Sequence, residues 1–328
     1  MDNRLNDNLT YSDEFMRSIP DDLFRESTSN PDETFDAQNV GFESYWYSVF
    51  HQFLKKKAAV FFLIVMVILI VFAFIQPLLP GQMNPKTIHN NPDTGLPLMN
   101  HRPDGIFVLG TNSLGQDIWA RLWQGTRISL FIGFSVAFLR SLLGIVIGMV
   151  WGYVRKLDLV FTEIYNIIDN IPSTIILIVA SYLLKPGVLT MIFAMCLTGW
   201  IGSARFVRNQ VVIIREKEYN NASQCLGTPL YKILFRNIFP HILPIVLMQM
   251  AGAVPAAIGN EVFVTYLGLG LPLDVPSLGN LLNSGRALIM SPSLRYQFYA
   301  PAVILSLITV GFYVIGRALA DVSNPKNQ

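Results

Sequence analysis

Charge is scarce in this sequence. Only 14% of its 328 residues are Asp, Glu, Lys or Arg, against about 25% in an ordinary soluble domain, which excludes most soluble enzymes. Two cysteines, Cys196 in an apolar run and Cys225 in a polar one, cannot make a disulfide framework. The four histidines stand at 51, 89, 101 and 241 without metal-ligand spacing, so no metal is expected. No GxxxxGK[ST] occurs, and no glycine precedes a lysine anywhere; the chain lacks the phosphate cradle of a P-loop ATPase. With GxSxG and HExxH lacking as well, no catalytic residue is assigned.

What the chain has in quantity is apolar surface: 52% hydrophobic residues and a mean hydropathy of +0.43. Its net charge of +2 hides an asymmetry, because residues 1–50 hold 11 of the 22 acids and 3 of the 24 bases. The bases of the body sit between apolar runs rather than in one patch, which excludes a nucleic-acid partner. Residues 1–41, rich in Asp, Asn, Ser and Pro, cannot bury enough surface to offset their ordering entropy and are expected to form a disordered acidic tail. A secretory signal would need a basic start and an early apolar core, whereas the first apolar run begins at Ala58.

Phe42, Tyr45, Trp46, Val49, Phe50, Phe53 and Leu54 recur at three- and four-residue steps and lead into Lys55, Lys56 and Lys57. Residues 42–57 therefore predict an amphipathic helix lying in the membrane interface, in contact with lipid. Ala58 to Ile75 carries no charge, and 14 of its 18 residues are Val, Ile, Leu or Phe, contributing roughly −4 to −8 kcal/mol to insertion. Similar runs at 128–154, 164–184, 188–206, 240–265 and 298–317 are each close to a bilayer's need. The fold class is thus all-α, a polytopic membrane protein with six transmembrane helices in a domain over 58–322. Thirteen bases fall on one side of this arrangement and seven on the other, which places both termini, including the tail at 323–328, in the cytoplasm.

Within the spans, Gly144, Gly148 and Gly152 share one helix face and predict a packing seam where a neighbouring backbone approaches. Arg140 lies mid-span and needs a partner or water; pore lining and pairing with a second subunit are equally good readings. Asn166, Asp169 and Asn170 flank a break expected at Pro172 and, with Glu261 after Pro255, are further candidates to line a pathway.

The long cytoplasmic loop holds Arg215 to Gly227, read as a short helix stopped by glycine. Thr228 and Pro229 then read as the cap and first residue of a second helix, so coupling helices are expected over about 215–237. Small side chains at Ala222 and Ser223 leave that surface open to another protein, with Tyr219 and Leu226 as apolar anchors.

At this loop the sequence resembles the permease subunits of ABC importers, whose loop reads E-A-A, three residues, G, nine residues, I-x-L-P. Asn221, Ala222, Ser223, Gly227 and Pro240 stand at the corresponding places. Asn221 replaces the acid, Ser223 the second alanine, Asn237 the isoleucine and Phe239 the leucine. Leu109–Leu130 (LGTNSLGQDIWARLWQGTRISL), Asn260–Leu281 (NEVFVTYLGLGLPLDVPSLGNL) and the stretch NIIDNIPSTIIL around Asp169 are similar to the C-type permease of oligopeptide and dipeptide importers.

The resemblance implies a type I importer permease fold in a bacterial cell membrane, paired with a second six-helix permease as a heterodimer. It also implies two cytoplasmic ATP-binding subunits, which carry the ATP and Mg, an extracellular peptide-binding lipoprotein and a peptide substrate. This chain would then hold no cofactor and perform no chemistry. Glu218, Tyr219, Asn221, Ala222, Ser223, Leu226 and Gly227 would form the surface that meets an ATPase. Rival readings remain: an ion-coupled secondary transporter, a membrane scaffold or receptor, or import of dipeptides, nickel chelates or signalling peptides within the same family.

Overall fold

The computed structural model describes residues 42–322; the tails expected at 1–41 and 323–328 lie outside the described residues. The helical bundle lies within the unit that begins at His51. In chain order the helices are α1 (Phe42–Lys55), α2 (Lys57–Ile75), α3 (Ile118–Tyr153), α4 (Arg155–Asp169), α5 (Ser173–Leu183) and α6 (Val188–Arg215). The short α7 (Glu218–Cys225) precedes α8 (Leu230–Tyr266), α9 (Leu278–Gly285) and α10 (Tyr296–Val322). Among the described residues there is no strand, only isolated bridges within residues 88–117.

Five of these helices are long and apolar enough to cross a membrane, and the bent pair α4 and α5, taken as one span, makes the sixth. The pair is broken by 76° at Pro172, whose preceding residue is disfavoured in the helical region. Apolar side chains cover the outside of the bundle: Phe61, Ile64, Ile68, Val71 and Phe74 of α2 are all exposed. An unbroken apolar face of that length marks a surface meant for lipid or another apolar partner.

The 36 residues of α3 extend about 54 Å, well beyond the roughly 30 Å of a hydrocarbon core. Its start lies ten residues before the expected span, where the Asp117 carboxylate accepts from the Ala120 amide at 2.9 Å. Ile118, Ala120, Leu122 and Trp123 are buried there, so packing carries the helix past its apolar stretch. Met66, Leu69, Leu130, Ile258, Leu278 and Ile308 form one core, while Ile132, Val136, Leu177, Met195 and Ala257 form a second. A third joins Met149, Val207, Val211, Ile238 and Ile242 close to α7.

At Gly144 an added Cβ would stand 2.5 Å from Ser203 Cβ, at Gly148 2.5 Å from the Ala204 carbonyl oxygen, and at Gly152 2.8 Å from the Arg208 carbonyl oxygen. These are below contact distances, so α3 and α6 lie backbone against backbone along this face.

Candidate coupling site

The end of α6 and the start of α8 enclose α7, and three polar side chains fix it. Asn220 is fully buried and donates through Nδ2 to the Ile214 carbonyl at 2.8 Å. Asn237 Nδ2 donates to Asn220 Oδ1 at 3.2 Å and to Ser223 Oγ at 3.1 Å. Ser223 in turn donates to the Tyr219 carbonyl at 2.9 Å. A buried amide without partners would cost several kcal/mol; here both ends of Asn220 are satisfied, which pins α7 to α8.

The helix stops at Gly227, whose φ of +70° is the left-handed conformation that glycine adopts without penalty. The Thr228 amide donates to the Ser223 carbonyl at 3.0 Å and the Gly227 amide to the Gln224 carbonyl at 2.9 Å, the paired bonds of a Schellman stop. Thr228 does not cap a second helix as expected. Pro229 occupies the cap position without a side-chain bond, and residues 230–266 run on as one helix into the span. A single free helix, α7, therefore stands where two coupling helices were expected, because the apolar residues Ile233, Leu234 and Ile238 are buried against α3 and α6 and draw the second into the bundle.

The root of α8 is a π turn, Ile233–Ile238, a wider winding that occurs mostly as a single turn within an α-helix and is frequent at functional sites. His241 Nδ1 donates to the Asn237 carbonyl at 2.8 Å, and the Tyr219 ring lies nearly parallel to the His241 ring, 5.9 Å between centres. Partial burial pushes the Tyr219 phenol up from its ordinary pKa, with a bond to Asn220 opposing. Around this root, Gln224 Nε2 donates to Tyr153 Oη at 2.6 Å and Arg215 Nη1 to the Gly152 carbonyl at 2.7 Å. Arg208 grips Asp158 with two bonds, 2.9 and 2.6 Å, and Trp151 Nε1 donates to the same carboxylate at 2.9 Å. These contacts tie the ends of α3, α4, α6 and α7 into one polar belt.

Of the residues expected to meet another protein, Glu218, Tyr219, Asn221, Ala222, Leu226 and Gly227 are exposed, Leu226 at 84%. Ser223 is half-buried and turned toward Asn237. Exposed Leu230 and Tyr231 extend the apolar part of this surface. Sequence reasoning missed Asn220, Tyr153 and His241. The signal available was that Ser223 and Asn237, both polar departures from an apolar motif, answer each other across 14 positions.

The pathway candidates do not converge on one site. Arg140, for which pore lining or a second subunit was expected, finds its partner within the chain: Nε and Nη2 donate to the Met195 carbonyl at 2.9 and 2.5 Å. Gly199 makes room for it, since a Cβ there would collide with the Arg140 guanidinium. Glu261 does not line an open surface; it is fully enclosed, accepting from Ser129 Oγ at 3.0 Å and Thr265 Oγ1 at 3.2 Å. The same hydroxyls accept from the amides of Leu278 and Leu271, so the carboxyl fastens the segment between α8 and α9 to α3. Asn166, Asp169 and Asn170 are exposed beside the α4–α5 break, with Tyr165 Oη donating to Asp169 at 2.6 Å and Asn170 Nδ2 to the Asn166 carbonyl at 2.5 Å.

Residues 144–328 match the family described as binding-protein-dependent transport system inner membrane component, and residues 44–96 match the N-terminal TM domain of oligopeptide transport permease C. The chain is 36% identical to the oligopeptide transport system permease protein AmiD of Streptococcus pneumoniae, over 90% of this chain and 93% of that one. Identity is 33% to the oligopeptide transport system permease protein OppC of Bacillus subtilis, over 95% and 99%. The dipeptide transport system permease protein DppC of the same organism is also 33% identical, over 94% of each chain. With its apolar helices and its two matched segments, the chain belongs to the inner-membrane permeases of binding-protein-dependent ABC transporters, in the C-type branch of the peptide permeases.

Proposed function

We propose that this chain forms half of the transmembrane pathway of an ATP-driven importer of oligopeptides and that α7 is the surface through which a separate ATPase drives it. Both termini lie in the cytoplasm, a second six-helix permease completes the pathway, and an extracellular lipoprotein delivers the peptide. ATP and Mg are handled by two partner subunits, and this chain does no bond-breaking chemistry. The observation that carries the reading is the anchoring of α7: Asn220, Ser223 and Asn237 lock it to α8 while Tyr219, Ala222 and Leu226 face outward. A push on that outer face is thereby delivered to a membrane span. A partner can shift a two-state gate only by its differential affinity for the two states, and a rigidly held docking helix meets that need. Support for a peptide cargo comes from the oligopeptide and dipeptide permeases that the chain matches over nearly its whole length.

The test is reconstitution of the chain with its companion subunits in vesicles, reading ATP-dependent accumulation of labelled peptides. Uptake that needs ATP and the external binding protein supports the reading. Accumulation driven by an ion gradient without an ATPase overturns it in favour of a secondary transporter.

A further inference from the structure

Two cations with no acid to answer them share one groove. Lys86 and Arg127 line a groove of about 500 Å³ between the chain just after α2 and the early turns of α3. Neither forms an ion pair among the described residues. The wall behind them is built: Lys86 donates its amide to Asn84 Oδ1 at 3.0 Å, and its carbonyl accepts from Gln116 at 3.4 Å. The neighbouring Pro85 carbonyl accepts from Arg121 at 3.3 Å. Gln124 also lines the groove, with Oε1 buried and without a partner.

The surroundings of the groove are apolar on both sides. On α2, Phe74 and Ile75 are exposed, and Leu78 just beyond is 82% exposed beside Pro77 of the groove. On α3, Phe131, Phe134 and Phe138 follow Arg127 at four, seven and eleven residues, the spacing of one helix face, and all three are exposed. A free phosphate or a carboxylate would satisfy the cations but leave this stripe uncovered. A molecule with an anionic head and a long apolar tail answers both.

We propose that this groove binds an anionic phospholipid, its phosphate between Lys86 and Arg127 and an acyl chain along the phenylalanine stripe of α3. Lipid at this place wedges the exit of α2 against α3 and sets the spacing of the two spans. Basic pockets between membrane helices hold anionic headgroups on the cytoplasmic side of membranes, and the same pairing of charges is available here at the other end of α2 and α3.

The full chain, purified in detergent with the subunits that accompany it, is titrated with phosphatidylglycerol, phosphatidylcholine or glycerol 3-phosphate and followed by native mass spectrometry. Retained phosphatidylglycerol is expected, weakened about fivefold by Lys86→Gln or Arg127→Gln and about thirtyfold by both. Phosphatidylcholine should bind no better to the wild type than to the double variant. Equal phosphatidylglycerol binding by wild type and double variant overturns the proposal. So does displacement by equimolar glycerol 3-phosphate, which would make this a site for a free anion, or a cross-link from Lys86 to an acidic residue of an accompanying subunit. Should Arg127→Gln fail to fold, Lys86→Gln, altered on an exposed loop, decides the matter alone: unchanged phosphatidylglycerol binding by that variant overturns the proposal.

Discussion

Asn237 reaches back 14 positions to donate to Ser223 Oγ at 3.1 Å, which joins the root of a membrane span to the short helix α7 beside it. The same amide holds Asn220, which is wholly buried. Replacing Asn237 by Leu leaves the Asn220 acceptor unpaired, at about 1–3 kcal/mol. The expected outcome is peptide uptake falling several-fold more than ATP hydrolysis in reconstituted vesicles, with the subunits still co-purifying. In a double-mutant cycle with Ser223→Ala the two losses should fall short of additive. Parallel loss of uptake and hydrolysis, with full additivity, would count against a mechanical link.

Gly227 offers a cleaner perturbation, since an added Cβ meets nothing within 4 Å and only the backbone, at φ +70°, resists a side chain. Gly227→Val should cost about 1–2 kcal/mol locally by loosening the end of α7, while Gly227→Asn is tolerated far better. Impaired uptake and weaker peptide-stimulated ATPase activity in an assembled complex are expected for valine. Wild-type transport by that variant would refute the role of α7.

Arg140 and Gly199 should behave as a pair. Gly199→Ala drives the guanidinium from the Met195 carbonyl and loses a charge-assisted bond, about 1.5–3 kcal/mol. In an Arg140→Ala background the same alanine meets no long side chain and is expected to be neutral, or to gain up to about 1 kcal/mol from helix propensity. Thermal unfolding of the purified complex in detergent measures both backgrounds.

Glu261 is expected to be structural. Glu261→Leu strands the hydroxyls of Ser129 and Thr265 and should destabilise by about 2–4 kcal/mol, whereas Glu261→Gln keeps one acceptor oxygen and costs less. Proteolysis between α8 and α9 should rise in the leucine variant. If Glu261→Leu instead abolishes uptake at unchanged unfolding temperature and protease resistance, the carboxyl belongs to the pathway.

The spans were legible because lipid demands apolar residues, and apolar runs can be counted. The break at Pro172 and the stop at Gly227 were legible because each follows from the backbone of one residue. Helix beyond the apolar core was not: residues 118–127 and 207–215 are polar enough to read as loop, yet buried neighbours keep them wound. Nor could the sequence show that Leu230 onward joins the span, since a proline permits a helix start without saying what the helix packs against. Arg140 was seen as needing a partner, but that partner is a backbone carbonyl, which every residue carries and no pattern marks. Asn220 is hidden in the sequence for a related reason: an asparagine in a polar loop looks solvated until the fold brings Asn237 to it.

The π turn at Ile233–Ile238 makes the base of α8 a place where the rotational register of the span is set. A turn of this kind carries one residue more than its neighbours; rewinding it to ordinary pitch would swing every later side chain by about 100° and slide it about 1.5 Å. One residue taken up or released at the foot would thus turn a different row of side chains toward the neighbouring helices in the stretch above it.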